Sequence, residues 1–340
     1  MRIGVLSSGG DCPGINATIR GVGKSALIHF GMEVIGVKSG FLGLLNKDFI
    51  RLDASALSGL LSLGGTILGT SREKPFKKLL AEGEDKSQII IDNYKELGLD
   101  CLVCIGGNGT QKTAYNLSQL GLNVIGIPKT IDNDVWGTDI TFGFDSALDI
   151  ATEAIDRLHS TASSHKRVMV VELMGHHAGW ITLFAGMAGG ADVILLPELG
   201  YDIKKINQAI LDRVAKGKPY SIVVVAEGLV AEKDRKKRES IAAYISKLIE
   251  EGTGIETRET VLGYVQRGGS PSAFDRNLAT RLGGHATELI SQGAFGRMVS
   301  LKGDEVTSVP LEEVAGKLRL VTPDYDLITQ GKRMGISFGI

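Results

Sequence analysis

Cysteine is scarce here: Cys12, Cys101 and Cys104 are the only three in 340 residues. Cys101 and Cys104 have a CxxC spacing, but they stand in an apolar run, 101–105, that reads as a buried strand with the two thiols on opposite faces. Zinc would need at least two more ligands at recognisable spacing, and none are nearby. Buried structural thiols are the reading that remains. Excess charge is also missing, with 38 basic against 39 acidic residues and a net charge of −1. That balance leaves no electrostatic footprint for nucleic acid or an anionic membrane surface. An anionic ligand must then be held by local cations and backbone N–H groups. No apolar stretch approaches the ~20 residues a bilayer span needs. The first residues, Arg2-Ile-Gly-Val-Leu6, follow a strand pattern rather than that of a signal peptide, so the expected location is the cytoplasm. Repeats, low-complexity segments and long linkers are absent as well. A charge run at 233–238 reads as a solvated helix face.

Glycine, by contrast, is plentiful: 45 residues. Short apolar runs at 3–6, 34–37, 101–105, 124–127, 168–172, 193–196 and 222–226 read as strands. Helical patterns fall between them at 15–30, 86–97, 111–120, 146–159, 203–215 and 236–250. Continuous apolar strands alternating with helices imply an α/β fold with mainly parallel sheets covered on both faces. In such sheets ligands sit beyond the carboxyl ends of the strands, where many of the glycines fall.

Three of those ends carry unusual chemistry. Strand 3–6 runs into Ser7-Ser-Gly-Gly-Asp-Cys-Pro-Gly-Ile-Asn16 and then a helix. Two glycines after a strand let backbone approach a phosphate, and the helix N-terminus adds its positive dipole. A tight turn is the plainer reading of that segment. Strand 101–105 runs into Gly106-Gly-Asn-Gly-Thr110, where Asn108 and Thr110 add side chains able to touch phosphate or a metal. A third turn, Gly64-Gly-Thr-Ile-Leu-Gly-Thr-Ser-Arg72, ends in a guanidinium with Lys74, Lys77 and Lys78 beyond it, a coherent anion site. Strand 124–127 ends in Pro128-Lys-Thr-Ile-Asp-Asn-Asp134. Two carboxylates there can serve a metal and a hydroxyl, which is most of what phosphoryl transfer asks of a protein. An Asx-turn is the competing reading.

Together these segments resemble the ATP/pyrophosphate phosphofructokinase family. The matching pieces are GGDCPGIN (9–16), GGTILGTSR (64–72), GGNGT (106–110), PKTIDND (128–134), SHKRVMVVELMG (164–175), AEG (226–228) and ETRETVLGYVQRGGSPSAFDR (256–276). The resemblance implies two three-layer α/β/α domains with the active site in the cleft between them. One is a donor domain of residues 1–143 plus 266–316. The other is a sugar-phosphate domain of residues 144–265 plus 317–340. The implied reaction is the glycolytic transfer of a phosphoryl group from ATP·Mg²⁺ to the 1-hydroxyl of fructose 6-phosphate.

Roles follow from the resemblance at matching positions. Asp132 is the expected base, with Thr130 beside it; Arg72 steadies charge on the transferred group. Gly10, Phe41, Arg72, Lys77, Gly107, Asn108, Gly109 and Thr110 are expected at the donor, with Asn108 and Asp134 at the metal. Met174, Gly175, His176, Glu227, Tyr264 and Arg267 are expected at the sugar phosphate, beside Thr130, Asp132 and Asp134. Arg167 and Arg258 match arginines that reach a neighbouring subunit's 6-phosphate, which implies a homotetramer with shared sites.

Five positions depart from the common family pattern. Asn108 replaces an aspartate near Mg²⁺, Tyr264 a histidine, His176 an arginine, Thr113 a glycine near the adenine site, and Lys129 a glycine. An aspartate at 109 would repel the α-phosphate of ATP, so Gly109 favours ATP as donor. Lys129 is similar to the pyrophosphate-dependent branch, which stands as the alternative. A weakly catalytic sugar-phosphate or nucleotide sensor is the alternative from another class. GGNGT alone also fits NAD and lipid kinases, though these leave Arg167, Arg258 and Gln266-Arg-Gly-Gly269 unexplained.

Overall fold

The computed structural model describes residues 1–76, 86–230 and 239–340. Lys77, Lys78 and the 233–238 charge run lie outside the described residues. Strands are β1 (Arg2–Ser8), β2 (Glu33–Val37), β3 (Phe49–Arg51), β4 (Cys101–Gly106), β5 (Val124–Pro128) and β6 (Val168–Leu173). They continue as β7 (Val193–Leu195), β8 (Ser221–Ala226), β9 (Thr257–Val261), β10 (Arg297–Lys302) and β11 (Glu305–Pro310). Helices are α1 (Ile15–Lys24), α2 (Phe41–Asn46), α3 (Lys86–Glu96), α4 (Asn108–Gln119), α5 (Phe144–His165) and α6 (Trp180–Ala188). Beyond them come α7 (Ile203–Ala215), α8 (Ile241–Thr253), α9 (Ala273–Ser291), α10 (Leu311–Val314) and α11 (Asp326–Arg333). The chain divides into two compact units, Met1–Ser146 with Arg267–Arg319, and Ala147–Gln266 with Leu320–Ile340.

The first unit is built on a seven-stranded sheet in the order β11-β10-β5-β4-β1-β2-β3. Its strands run parallel except at the two margins, where β11 and β3 are antiparallel to their neighbours. Alternation along the strands sorts the apolar side chains between faces. Leu6, Leu102, Cys104 and Val124 join a core with residues of α2, α3, α4 and α10. Cys101, fully buried, is outside that cluster, in keeping with thiols on opposite faces. Helices α1 and α9 pack against each other, and α9 lies against β5 and β10. That crossing needs two glycines. A Cβ at Gly21 would sit 2.9 Å from the Thr280 carbonyl oxygen, and one at Gly283 would sit 2.8 Å from that of Thr18.

Expected helix 15–30 is divided: α1 ends at Lys24, and Ser25–His29 form a π-helical turn. The widened turn starts where Ser25 Oγ meets Thr287 Oγ1 at 2.7 Å, a bond from α9 that the local pattern does not encode.

The second unit has an all-parallel sheet, β7-β8-β6-β9. Valines and leucines of β6, β7 and β8 form its core with α7 and α8. Among the described residues no helix is long and apolar enough to cross a membrane.

Helix α9 starts from a buried carboxylate. Asp275 is fully buried, and its Oδ2 accepts from Ser146 N–H at 2.8 Å and Ser146 Oγ at 2.6 Å. Burial pushes its pKa up to about 6. The native state therefore holds this proton more tightly than the unfolded chain does. Stability from this group is full below pH ~4 and declines as pH rises to ~6, by roughly 3 kcal/mol at 1.36 kcal/mol per pKa unit. Asp275→Asn keeps an acceptor for Ser146 and removes the titration. Urea unfolding between pH 4 and 7 should show the variant with a flatter pH dependence than wild type. Parallel curves would refute the assignment.

Candidate active site

Parallel pairing brings three strand ends level: Ser8 lies beside Gly106, and Gly106 beside Pro128. The next residues are Gly9 and Gly10, Gly107 to Gly109, and Lys129 to Asp134. Both glycine loops and the aspartate cluster thus leave the sheet at one edge.

The third turn is stitched onto the first. Gly9 N–H donates to Ser71 O at 2.9 Å, Thr70 Oγ1 to Gly9 O at 2.6 Å, and Ser8 Oγ to Ser71 O at 3.3 Å. This sets the exposed Arg72 at the rim of the first loop. Asn16, which sequence reasoning did not single out, braces the same turn. Its Oδ1 accepts from Ile67 N–H at 2.8 Å, and its Nδ2 donates to Leu63 O and Gly64 O at 3.2 and 3.1 Å. The local signal for it was its place at the mouth of α1, at the end of the first glycine loop.

A Cβ at Gly109 would meet nothing within 4 Å, so the N-terminal turn of α4 is open there. Gly107 is tighter, with Lys129 O 3.5 Å from such a Cβ. Two of the expected donor residues have buried side chains. Thr110 is 5% exposed and its Oγ1 donates to Ser8 O at 3.3 Å, tying the two loops together. Phe41 is 1% exposed, its ring packed in the core beneath the sheet, which leaves its backbone for any donor contact.

The aspartate loop is shaped by its own backbone. Asp132 N–H donates to Thr130 Oγ1 at 3.1 Å, and Thr130 O accepts from Thr141 Oγ1 at 2.8 Å. Asn133 takes a left-handed φ of 52°, a region that a short amide side chain tolerates. Its Oδ1 accepts from Thr141 N–H at 3.0 Å, and its carbonyl accepts from Arg319 Nη1 at 3.2 Å. Asn133 turns the chain, so Asp132 and Asp134 flank a fixed bend. Asp134 is 6% exposed; burial first, and then the Asp132 charge, push its pKa up to about 7.

Asn108 Nδ2 donates to Asp134 O at 3.3 Å, while its Oδ1 is buried without a hydrogen-bond partner. A hard divalent cation fits that orphan oxygen and the Asp134 carboxylate. Among the described residues no cluster of three or more His, Cys, Asp or Glu could hold a metal. Phosphate oxygens and water would complete such a coordination sphere.

Lys129 is 2% exposed, and its Nζ donates to Gly10 O. Burial pushes its ammonium pKa down. Arg267 Nη1 donates to the next carbonyl, Asp11 O, at 3.2 Å.

In the second unit Arg167 and Arg258 converge on one carboxylate. Arg167 Nε donates to Glu256 Oε2 at 2.5 Å, and Arg258 pairs with Oε1. The Arg167 guanidinium holds the Glu256 pKa below the usual range. Glu256 was missed from sequence because a lone acid two residues before Arg258 carries no signal. Met174 N–H donates to Gln266 Oε1 at 2.8 Å, and the N–H groups of Gly175 and His176 donate to Glu227 Oε1 at 3.3 and 2.9 Å. Glu227 thus shapes the 174–176 turn, in which His176 has a left-handed φ of 53° and an exposed ring. Tyr264 is 76% exposed on the 3₁₀ turn Gly263–Arg267.

Known proteins resemble this one over most of the chain. The family described as Phosphofructokinase matches residues 2–290. An "ATP-dependent 6-phosphofructokinase 3" of Bacteroides thetaiotaomicron is 68% identical over 340 residues, covering 100% of both chains. The T-state crystal structure of Pichia pastoris phosphofructokinase superposes with a TM-score of 0.84 at 33% identity, over 92% of this chain and 35% of that one. This chain therefore spans about a third of the yeast protein. A pyrophosphate-dependent phosphofructokinase from Marinobacter aquaeolei gives a TM-score of 0.84 at 25% identity, over 99% and 88% of the two chains. The family match covers both glycine loops, the aspartate bend and the paired arginines, and on that extent the chain belongs to the phosphofructokinase family.

Proposed function

We propose that the protein transfers the γ-phosphoryl group of ATP to the 1-hydroxyl of fructose 6-phosphate in the cytoplasm. One observation carries the reading most directly: the two glycine loops and the Asp132 bend leave adjacent strands at one sheet edge. The N–H groups of the loops and the open N-terminal turn of α4 receive the donor phosphates. Asp132 accepts the hydroxyl proton late in transfer, and Arg72 offsets charge on the moving group. Mg²⁺, held by Asn108 Oδ1 and Asp134, would offset charge on the β- and γ-phosphates. In the second unit, the 174–176 turn, Glu227, Arg167 and Arg258 serve the sugar phosphate.

A coupled assay of fructose 1,6-bisphosphate formation with either donor tests this. ATP·Mg²⁺ should support turnover at least tenfold faster than pyrophosphate. The reverse ranking would favour the pyrophosphate-dependent reading. That reading rests on Lys129, whose ammonium is turned to the Gly10 carbonyl. No turnover with either donor would favour the sensor.

The 6-phosphate site is proposed to be shared between subunits of a homotetramer. Glu256 holds Arg167 and Arg258 side by side, and an incoming phosphate would bridge the same two cations. Inactive Arg167→Ala and inactive Asp132→Asn proteins, mixed under conditions of subunit exchange, should recover part of wild-type activity in hybrid sites. Verified hybrids without activity would show that each subunit works alone.

A further inference from the structure

We propose that Lys129 is a positioning residue of the donor-phosphate loop, acting on the loop's backbone rather than on the donor. The proposal rests on the reading of that loop as the donor site.

A lysine at 2% exposure is rare, because burial of an ammonium is costly without a partner. Here the partner is a main-chain carbonyl, that of Gly10. Arg267 takes the following carbonyl, Asp11 O, at 3.2 Å. Two successive carbonyls are thereby turned toward two cations. In a planar trans peptide the N–H points opposite to the C=O. Fixing Gly10 O on Lys129 therefore turns Asp11 N–H away from it, and fixing Asp11 O on Arg267 does the same for Cys12 N–H. The N–H groups of Asp11 and Cys12 find no protein acceptor among the described residues. They are donors held ready for an anion, as in other phosphate-binding turns.

Two further observations confine the loop. A Cβ at Gly10 would sit 2.8 Å from Arg267 Nη1, and one at Gly9 would sit 3.9 Å from Lys129 Nζ. The loop thus rests against its two cations, with no side chain between. Burial opposes the charged ammonium most and Arg267 adds to that, while Asp132 and Asp11 favour it. Lys129 N–H also donates to Gly106 O at 3.1 Å, which joins this position to the second glycine loop. One residue therefore ties both phosphate loops to the aspartate bend.

Lys129→Met and Lys129→Gln test the proposal, with folding checked by thermal melts. In the unliganded proteins, hydrogen exchange of the Gly9 amide, which is bonded to Ser71 O, should be at least tenfold faster in Lys129→Met. A lysine that touched only the donor would leave that exchange unchanged. Titration with a fluorescent ATP analogue should show at least tenfold weaker binding, with KM for fructose 6-phosphate within twofold of wild type. Lys129→Gln, which keeps a donor for the Gly10 carbonyl, should recover part of both losses. It alone decides if Lys129→Met does not fold. Unchanged exchange and ATP affinity in folded variants overturn the proposal. If Gly109→Asp weakens ATP binding while the Lys129 variants do not, the donor reading survives and the positioning role falls. If none of the three weakens it, the donor reading falls too.

Discussion

Replacing Asp132 by asparagine is expected to lower kcat by ~10²–10⁴-fold, the usual cost of removing a general base. KM for fructose 6-phosphate should move less than about threefold, since base assistance matters only as the proton leaves. The substitution leaves the backbone bonds of the bend in place: the N–H of residue 132 on Thr130 Oγ1, and the contacts of Asn133 and Thr130 with Thr141. A second readout comes from its neighbour. The Asp132 charge raises the pKa of Asp134, so neutralising it should lower the Asp134 pKa from about 7. Carboxylate carbon chemical shifts followed through pH 5–8 would show it. A variant with more than about half of wild-type turnover would remove Asp132 from the role of base.

Gly109→Asp should separate stability from donor use. Position 109 has open space for a side chain, and the first turn of α4 carries no acidic residue. A carboxylate at a helix N-terminus stabilises by ~0.3–1 kcal/mol. The melting temperature should hold or rise slightly. Catalysis with ATP should collapse, because a unit charge ~4 Å from the α-phosphate costs ~4 kcal/mol at intermediate dielectric. That corresponds to roughly 10³-fold in kcat/KM for ATP. Pyrophosphate has no α-phosphate to meet the new charge and should lose far less. Retention of ATP use by a well-folded Gly109→Asp protein would place the nucleotide elsewhere.

What could be read from sequence divides along physical lines. The runs that became β1, β2, β4 and β5 were legible because strands buried on both faces are continuously apolar. β9 was not, because it is an edge strand whose Arg258 and Glu259 face solvent. β11 was missed for a similar reason: it closes one margin of the seven-stranded sheet and has no fully buried residue. In the site, the glycine loops and the aspartate bend were visible because loop chemistry is local. Direction was not. Whether Thr110 faced a phosphate or Ser8, and whether Phe41 faced a ligand or the core, depended on packing between segments far apart in the chain. The convergence of Arg167 and Arg258 on Glu256 likewise appears only once β6 and β9 are paired.

The late return of residues 267–319 to the first unit bears on how the protein is made. β5 pairs with β4 on one side, and its other side waits for β10. Translation at ~5–20 residues per second spends ~8–34 s on the roughly 170 residues between them. During that interval the nascent sheet presents a bare strand edge, and the Gly21 face of α1 has no α9 to cover it. Such edges invite intermolecular pairing. Ribosome-bound chains ending near residue 260 should therefore recruit chaperones and resist protease poorly, whereas the released 340-residue chain should not.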